Sequence, residues 1–175
     1  MTADVTGTYL TLDDGRPAVR FTRTYDHPVE RVWAFVTDPD ELERWFPSRA
    51  EIELRPGGAV TFSGDPHLAD STGRVIAVDP PRHLSFEWSG DEVHFDLEAT
   101  DDGRTRFTLT NVLAAADTAA RNGAGWELCL AALDARARGA DNPGPHAGAE
   151  APWKGLYEAY VAAGLPSGAP VPGQE

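Results

Sequence analysis

Side chains with catalytic or binding chemistry are few and lie far apart in this sequence. Arg23, Asp65 and His67 are the candidates for general acid–base work, which needs a titratable group within about 3 Å of the reacting atom. Asp65 and His67 share an irregular Gly-Asp-Pro-His connector, for which an ordinary turn is the alternative interpretation. His83 and His94 alternate with apolar residues in segments that also carry acidic residues, so we expect them in exposed cross-strand pairs.

The motifs that hold metals, phosphates or activated nucleophiles are missing from the sequence. Neither HxxxH nor HExxH nor a Cys–His cluster occurs, so we predict no metal ion. The glycines at 57, 58, 123 and 125 lack the other residues of phosphate-binding loops, so we predict no cofactor. Cys129 lies on the apolar side of a predicted helix and is interpreted as a small core residue. A catalytic triad assembled in space stays open, because its members need not be neighbours in sequence.

Composition excludes several classes of protein. Fifteen Lys and Arg against 28 Asp and Glu give a net charge of −13, whereas nucleic acids and anionic membranes are bound through cationic side chains. At 175 residues and 41% hydrophobic residues, the chain has the length and apolar content of one packed domain. A single cysteine, no leader pattern and no apolar run of about 18 residues predict a soluble, cytoplasmic protein.

The first third of the chain predicts one strand followed by two short helices. Residues 18–26 alternate apolar and polar side chains, which is typical of a half-buried strand, and Arg23 falls on the apolar side. Pro28 suits a first helical position, and apolar residues at helical spacing follow it. Asp38 and Pro39 then predict the N-terminus of a second helix that runs to about Trp45.

Residues 48–112 return to a period of two, with turn residues every eight to twelve positions, and predict an antiparallel meander. Three hairpins, with loops at 56–58, at Gly90 and Asp91, and at 101–103, give a consistent apolar face and a polar face. The apolar pairs predicted are Leu54 with Val60, Ile52 with Phe62, Trp88 with Val93, Phe86 with Phe95, Leu84 with Leu97, Leu97 with Phe107, and Phe95 with Leu109.

The remaining third predicts a long helix at about 118–137 that covers the apolar face of the sheet. Gly123 and Gly125 weaken its first turns, so we expect regular helix only from near Trp126. A second amphipathic helix starts near Trp153 and ends before Gly164. The predicted organisation is an N-terminal extension (1–16), the main domain (17–139), a loop with the additional helix (140–164) and a flexible tail (165–175).

Four segments carry a resemblance to a known family. They are RTYDHPVERVW at 23–33, TDPDELERWF at 37–46, RPGG at 55–58 and GWELCL at 125–130. Together with the order of elements, they resemble the SRPBCC (START-like) superfamily, and most closely bacterial proteins similar to the C-terminal domain of the activator of heat-shock protein 90 ATPase. The resemblance covers 17–139 and implies an α+β helix-grip fold, in which a curved antiparallel sheet wraps around a long C-terminal helix.

A helix-grip fold implies a cleft where the sheet curves away from the helix, and here large apolar side chains would line it. The predicted ligand-binding residues are Arg23, Trp45, Phe46, Phe86, Trp88, Phe95, Leu97, Phe107, Asn111, Trp126 and Leu130. The alternatives are that the aromatic residues fill the core, that Arg23 pairs with a carboxylate, and that Asn111 caps its strand.

Three functions remain open, because the superfamily includes carriers, aromatases and cyclases, and co-chaperones. The first hypothesis is a protein that binds a small hydrophobic ligand without metal, cofactor or catalysis. The second is an aromatase- or cyclase-like enzyme that uses Arg23, His67 or Asp65. The third is a co-chaperone-like domain whose acidic face binds a basic partner. A homodimer through a sheet edge or the Trp153 helix also stays open.

Overall fold

The computed structural model describes residues 5–65, 69–140, 144 and 151–170, with the backbone alone at 151 and 152. Within these residues, one curved sheet of eight antiparallel strands has the order β1-β2-β8-β7-β6-β5-β4-β3. The strands are β1 (Thr8–Thr11), β2 (Pro17–Tyr25), β3 (Arg49–Ile52), β4 (Ala59–Ser63), β5 (Ser71–Asp79), β6 (His83–Trp88), β7 (Asp91–Ala99) and β8 (Thr105–Val112). The α-helices are α1 (Val29–Thr37), α2 (Pro39–Trp45), α3 (Ala119–Ala137) and α4 (Ala151–Ala162). The predicted α+β helix-grip class is therefore confirmed.

The helices α1 and α2 form where the sequence predicts them. Pro28 is the N-cap of α1 and not its first helical residue. Asp38 caps α2 by accepting a hydrogen bond from the Asp40 backbone N–H at 2.9 Å, and Pro39 opens the helix because it has no N–H to leave unsatisfied. In the packed structure α1 contacts β7 and β8, and α2 contacts β3 and α3.

Hairpin register is predicted correctly in one case and is wrong by two residues in the other two. The β7–β8 pairing matches, with Leu97 opposite Phe107. Between β6 and β7 the turn is Ser89-Gly90, both at positive φ, so Leu84 faces Phe95 and Phe86 faces Val93. A shift of two residues keeps every side chain on its face of the sheet, which is why the predicted apolar face survives.

The β3–β4 connection is longer than expected. Ile52 pairs with Val60 and Ala50 with Phe62, because the chain between them turns through successive backbone hydrogen bonds from Arg55 to Glu53 and from Gly58 to Arg55. Leu54 consequently lies outside the ladder and is 43% exposed.

The N-terminal extension contains a strand that the sequence does not reveal. The residues of β1 pair with those of β2, so that Thr8 lies opposite Arg20 and Leu10 opposite Ala18. With four residues, β1 is too short for its alternation to stand out. It forms one edge of the sheet, and β3 forms the other.

The helix α3 begins at Ala119, seven residues before the position at which we expected regular helix. Gly123 faces the ring of Tyr160 on α4, where an added Cβ would lie 3.1 Å from the ring, so this glycine lets the two helices approach closely. Packing against α4 therefore compensates for the low helix propensity of the glycines. No helix within the described part of the chain has the length and apolar character that crossing a bilayer requires.

The two glycines of α3 give a paired prediction on stability. Gly125 has open space around its Cβ position, so Gly125→Ala should raise the free energy of unfolding by about 0.5–1 kcal/mol through the lower entropy of the unfolded chain. Gly123→Ala should gain less, because the new methyl group meets the Tyr160 ring. Urea unfolding of both variants measures the difference, and an equal gain would contradict the close helix contact.

Candidate ligand-binding groove

The aromatic residues predicted to line an open cleft form a closed core. Trp45, Phe95 and Phe107 have no exposed surface, and Phe46 and Trp126 each expose 2%. A gap large enough for water would give the atoms beside it accessible surface, so the space between these rings is filled. Phe86, Leu97 and Leu130 are buried with them, and Trp88 is half-buried at the margin.

Ring contacts connect this aromatic core from the sheet to α3. The ring centroids of Trp88 and Trp126 are 5.2 Å apart, and Phe46 lies 5.9 Å from Trp88 and 5.7 Å from Trp126. The Trp45 indole N–H donates to the Phe35 carbonyl at 2.8 Å. The expected open cleft is thus not seen beside these rings, and binding of a ligand between them stays a prediction that requires them to separate.

The side chain of Asn111 holds the Trp126 indole by a hydrogen bond, in addition to contacting the backbone of its own strand. Its Oδ1 accepts hydrogen bonds from Trp126 Nε1 and from Asn122 Nδ2, both at 3.0 Å, while its Nδ2 donates to Asp91 at 3.0 Å. Burial raises the pKa of Asp91, and hydrogen bonds from the Ala114 backbone and Asn111 oppose that shift. These contacts attach the first half of α3 to the β8 strand.

Arg23 lies apart from the aromatic core, on the wall of a groove between the end of β2 and the end of α3. The groove has a volume of about 560 Å³. Its lining residues are Arg23, Thr24, Tyr25, Asp26, His27, Asp134, Ala137 and Arg138. Arg23 is therefore the member of the predicted ligand-binding set that borders this groove.

Asp134 holds the inner wall of the groove together. One carboxylate oxygen accepts from the Tyr25 hydroxyl at 2.8 Å, and the other from Arg23 Nε at 3.4 Å. Burial, together with the nearby Asp134 charge, raises the pKa of Tyr25 well above its usual range. Tyr25 therefore stays a neutral phenol, and its ring, 6.3 Å from that of Phe107, separates the groove from the core.

His27 and the end of α3 form the outer wall. The ring N–H of His27 at Nε2 donates to the Ala137 carbonyl at 2.7 Å, so Nε2 carries the proton in this contact. The His27 ring also meets the edge of Phe35 at 5.4 Å. At the rim, the exposed Arg138 makes no side-chain hydrogen bond or ion pair with any residue in the described part of the chain.

Arg23 also faces a buried carboxylate outside the groove lining, that of Glu127 on α3. Its Oε1 accepts hydrogen bonds from the Thr6 backbone at 2.5 Å, the Thr6 hydroxyl at 2.8 Å and the Tyr160 hydroxyl at 2.5 Å. The Arg23 guanidinium lies 3.7 Å from its Oε2. Burial, together with the hydrogen bond to the Glu127 carboxylate, raises the pKa of Tyr160 above its usual range, so the Tyr160 hydroxyl too remains a donor.

Of the acid–base candidates named from the sequence, the structure describes Arg23 and Asp65 and does not bring these two together. Arg23 contacts Glu127 and Asp134 on one side of α3, whereas Asp65 acts electrostatically on Cys129, about 200° around the helix from Glu127. His67 lies outside the described residues. The prediction that Cys129 is a buried core residue is confirmed, and burial raises the pKa of its thiol.

The two sheet histidines lie on the outer face, as predicted, with partners changed by the register shift. His83 Nδ1 is 2.7 Å from Asp96 on the neighbouring strand, so His83 forms the expected cross-strand pair. His94 does not, because its acidic neighbour is Glu92 of the same strand, 3.5 Å from Nε2, and the residues opposite it are Ser85 and Thr110. The Ser85 hydroxyl lies 3.2 Å from His83 Nε2, which gives a Ser-His-Asp arrangement, but Ser85 is only 1% exposed and thus closed to substrate. Among the residues that the structure describes, no group of three His, Cys, Asp or Glu can hold a metal ion.

Sequence reasoning missed most of the groove. Tyr25 shares the face of β2 with Arg23, two residues away, and Asp134 and Arg138 are one helical turn apart. These two spacings are the features of the sequence that could have pointed to the groove. Spacing within an element does not determine which turn of α3 packs against which strand. The contact between Arg23 and Asp134 therefore could not be predicted, because the two residues are 111 positions apart in the sequence.

This fold and these segments define a family. The family model described as Activator of Hsp90 ATPase homolog 1-like protein matches residues 26–138, and the chain belongs to that family. The match leaves out β1, β2 and α4, and with them Arg23 of the groove lining and the two residues, Thr6 and Tyr160, that donate hydrogen bonds to Glu127. A search of proteins with curated functions finds no match.

Solved structures of similar proteins share the architecture. The crystal structure of CalU16 from Micromonospora echinospora is 26% identical, with a TM-score of 0.67 over 91% of this chain and 96% of that chain. The solution structure of CalU16 is 27% identical, with a TM-score of 0.69 over 92% and 94%. EF2215 from Enterococcus faecalis, described as a conserved protein of unknown function, is 20% identical with a TM-score of 0.73 over 90% and 89%, and this likeness concerns the fold alone.

Proposed function

We propose that this chain is a small-molecule-binding protein that holds its ligand, without catalysis, in the groove between β2 and α3. The observation that carries the proposal is the groove itself. Its volume of about 560 Å³ falls within the range of about 300–1,000 Å³ typical of small-molecule sites, and it lies between the sheet and the long helix. A ligand there would rest its apolar part on Tyr25 and Ala137 and direct polar groups toward Arg23.

The side chains of the groove favour binding over proton transfer. Tyr25 is held as a neutral donor, and both oxygens of Asp134 already accept hydrogen bonds. The ring of His27 is committed to the Ala137 carbonyl and to Phe35. These groups are therefore positioned by one another, as a preformed recognition site requires.

A substitution that fills the groove tests this proposal. Ala137→Phe would place a ring in the cavity, so we expect it to abolish binding of 1-naphthoate and 1-naphthamide, two bicyclic probes of suitable size, as measured by isothermal titration calorimetry. Ala131→Phe is the matched control, because Ala131 is exposed on the same helix and does not line the groove. Equal binding by the two variants, or no binding of either probe to the wild type, would contradict the proposal.

The family description supports a second candidate, an interaction with an Hsp90-type chaperone through the acidic surface of this chain. Purified protein would then stimulate the ATPase of the chaperone from its own host at low salt, and the effect would decline as salt screens the charges. No stimulation and no complex on gel filtration under these conditions would remove this candidate.

A further inference from the structure

We infer that the N-terminal segment, residues 5–7, raises the ligand affinity of the groove by holding Arg23 in place; this inference rests on the proposed function. Arg23 lines the groove, whereas the N-terminal segment lies outside the lining. The Thr6 hydroxyl joins the two. Its Oγ1 donates to Glu127 Oε1 at 2.8 Å and accepts from Arg23 Nη2 at 3.0 Å. Thr6 is therefore a positioning residue, which acts on the ligand through Arg23.

The Arg23 guanidinium is held from two sides. On the side of the groove, its Nε donates to Asp134 at 3.4 Å. On the other side, its Nη2 donates to Thr6 and lies 3.7 Å from the Glu127 carboxylate. Its Nη1 donates to the Thr22 carbonyl at 3.2 Å, so the bond to Thr6 is the shortest of these contacts. An arginine side chain has several rotamers, and without the Thr6 bond its end would be free to move within the groove wall.

The N-terminal segment has anchors that do not depend on the Thr6 hydroxyl. The backbone N–H groups of Thr6 and Gly7 donate to Glu127 Oε1 at 2.5 and 3.3 Å. The Gly7 N–H also donates to the Tyr160 hydroxyl at 2.9 Å, and an added Cβ on Gly7 would lie 2.5 Å from that oxygen, so the lack of a side chain permits this approach. These backbone contacts remain when the Thr6 side chain is changed. Removal of the hydroxyl therefore acts on Arg23 and leaves the segment in place.

The coupling between the N-terminal segment and the groove must be reciprocal. If the docked segment raises the affinity for a ligand, the bound ligand stabilises the docked segment by the same factor. Amide exchange at Thr6 and Gly7 requires their bonds to Glu127 to open, so a bound ligand should slow it. The strand β3 forms the opposite edge of the sheet, and its amides are the control.

Three substitutions and one exchange measurement test the inference, with 1-naphthoate and 1-naphthamide as probes. Thr6→Val should weaken binding in calorimetry about two- to tenfold, which is the cost of immobilising one flexible side chain on binding. Thr6→Ser keeps the hydroxyl and should retain the wild-type affinity. Thr8→Val is the matched control, because Thr8 is exposed on β1 and its side chain makes no hydrogen bond with another described residue. In the wild type, saturating probe should slow exchange at the Thr6 and Gly7 amides about two- to tenfold and leave the amides of β3 unchanged.

The outcomes separate this inference from the proposed function. Wild-type affinity in Thr6→Val, or an equal loss in Thr6→Ser or Thr8→Val, would overturn the inference while the groove remains the binding site. Unchanged exchange at the Thr6 and Gly7 amides would also overturn it, and this measurement needs no substitution, so it decides alone if Thr6→Val does not fold. Failure of both probes to bind the wild type would overturn the inference and the proposed function together.

Discussion

Replacing Glu127 by alanine is expected to lower the free energy of unfolding by about 3–5 kcal/mol, which corresponds to roughly 10 °C in Tm for a domain of this size. Glu127 is 8% exposed, and its carboxylate accepts hydrogen bonds from Thr6 and Tyr160 and faces Arg23. Without it, these donors stay buried while their acceptor is gone. An unsatisfied buried partner costs more than the lost hydrogen bond alone.

The effect of Glu127→Ala should be concentrated at both chain ends. Hydrogen exchange at the Thr6 and Gly7 amides should accelerate, because both N–H groups donate to the Glu127 carboxylate. Glu158→Ala is the control, since Glu158 is exposed on α4. A loss below about 1 kcal/mol, or unchanged exchange at Thr6, would mean that Glu127 does not hold the N-terminal segment.

Truncation of Trp45 should destabilise the protein to a similar extent. Trp45 has no exposed surface, contacts Phe46, Phe95 and Phe107, and donates to the Phe35 carbonyl. Removal of such a side chain costs about 3–5 kcal/mol, because apolar contacts are lost and a cavity remains. Urea unfolding of Trp45→Ala measures this loss, and Trp33→Ala, at a half-buried position of α1, should lose less.

The same variant tests whether the aromatic core is filled. An apolar cavity created by Trp45→Ala should stay dry and bind xenon or benzene, whereas the wild type should bind neither at this place. If the wild type already takes up xenon between Trp45 and Phe107, a void exists there and the rings line a cavity. The aromatic core, and not the groove between β2 and α3, would then be the better candidate for the ligand site.

The fold was predictable because its signals are local. Alternation along β2 and β7, the cap at Asp38 and the glycine turn at 103 each depend on a few neighbouring residues. The faces of the sheet followed from parity alone. The register of the hairpins did not follow from parity, because a shift of two residues leaves every side chain on the same face. In the β6–β7 hairpin, the turn formed by Ser89 and Gly90, both at positive φ, sets the register.

The site was less predictable because its contacts are not local. Burial of Trp45 and Phe46 depends on how completely α2 and α3 cover the sheet, and period alone cannot distinguish a filled core from a lined cavity. Arg23 was identified as the polar residue on an apolar face. Its partners Glu127 and Asp134 lie more than 100 residues away, and only the packed structure brings them together.

The most direct test of the central claim is to map the binding of 1-naphthoate by amide and indole chemical shifts in ¹⁵N-labelled protein. We expect the largest shifts at residues 23–27 and 134–138, with the indole signals of Trp45 and Trp126 unchanged, because their N–H groups are hydrogen-bonded inside the closed core. Shifts concentrated on the indoles of Trp45, Trp88 and Trp126, with residues 23–27 unaffected, would contradict the claim that the groove between β2 and α3 is the binding site.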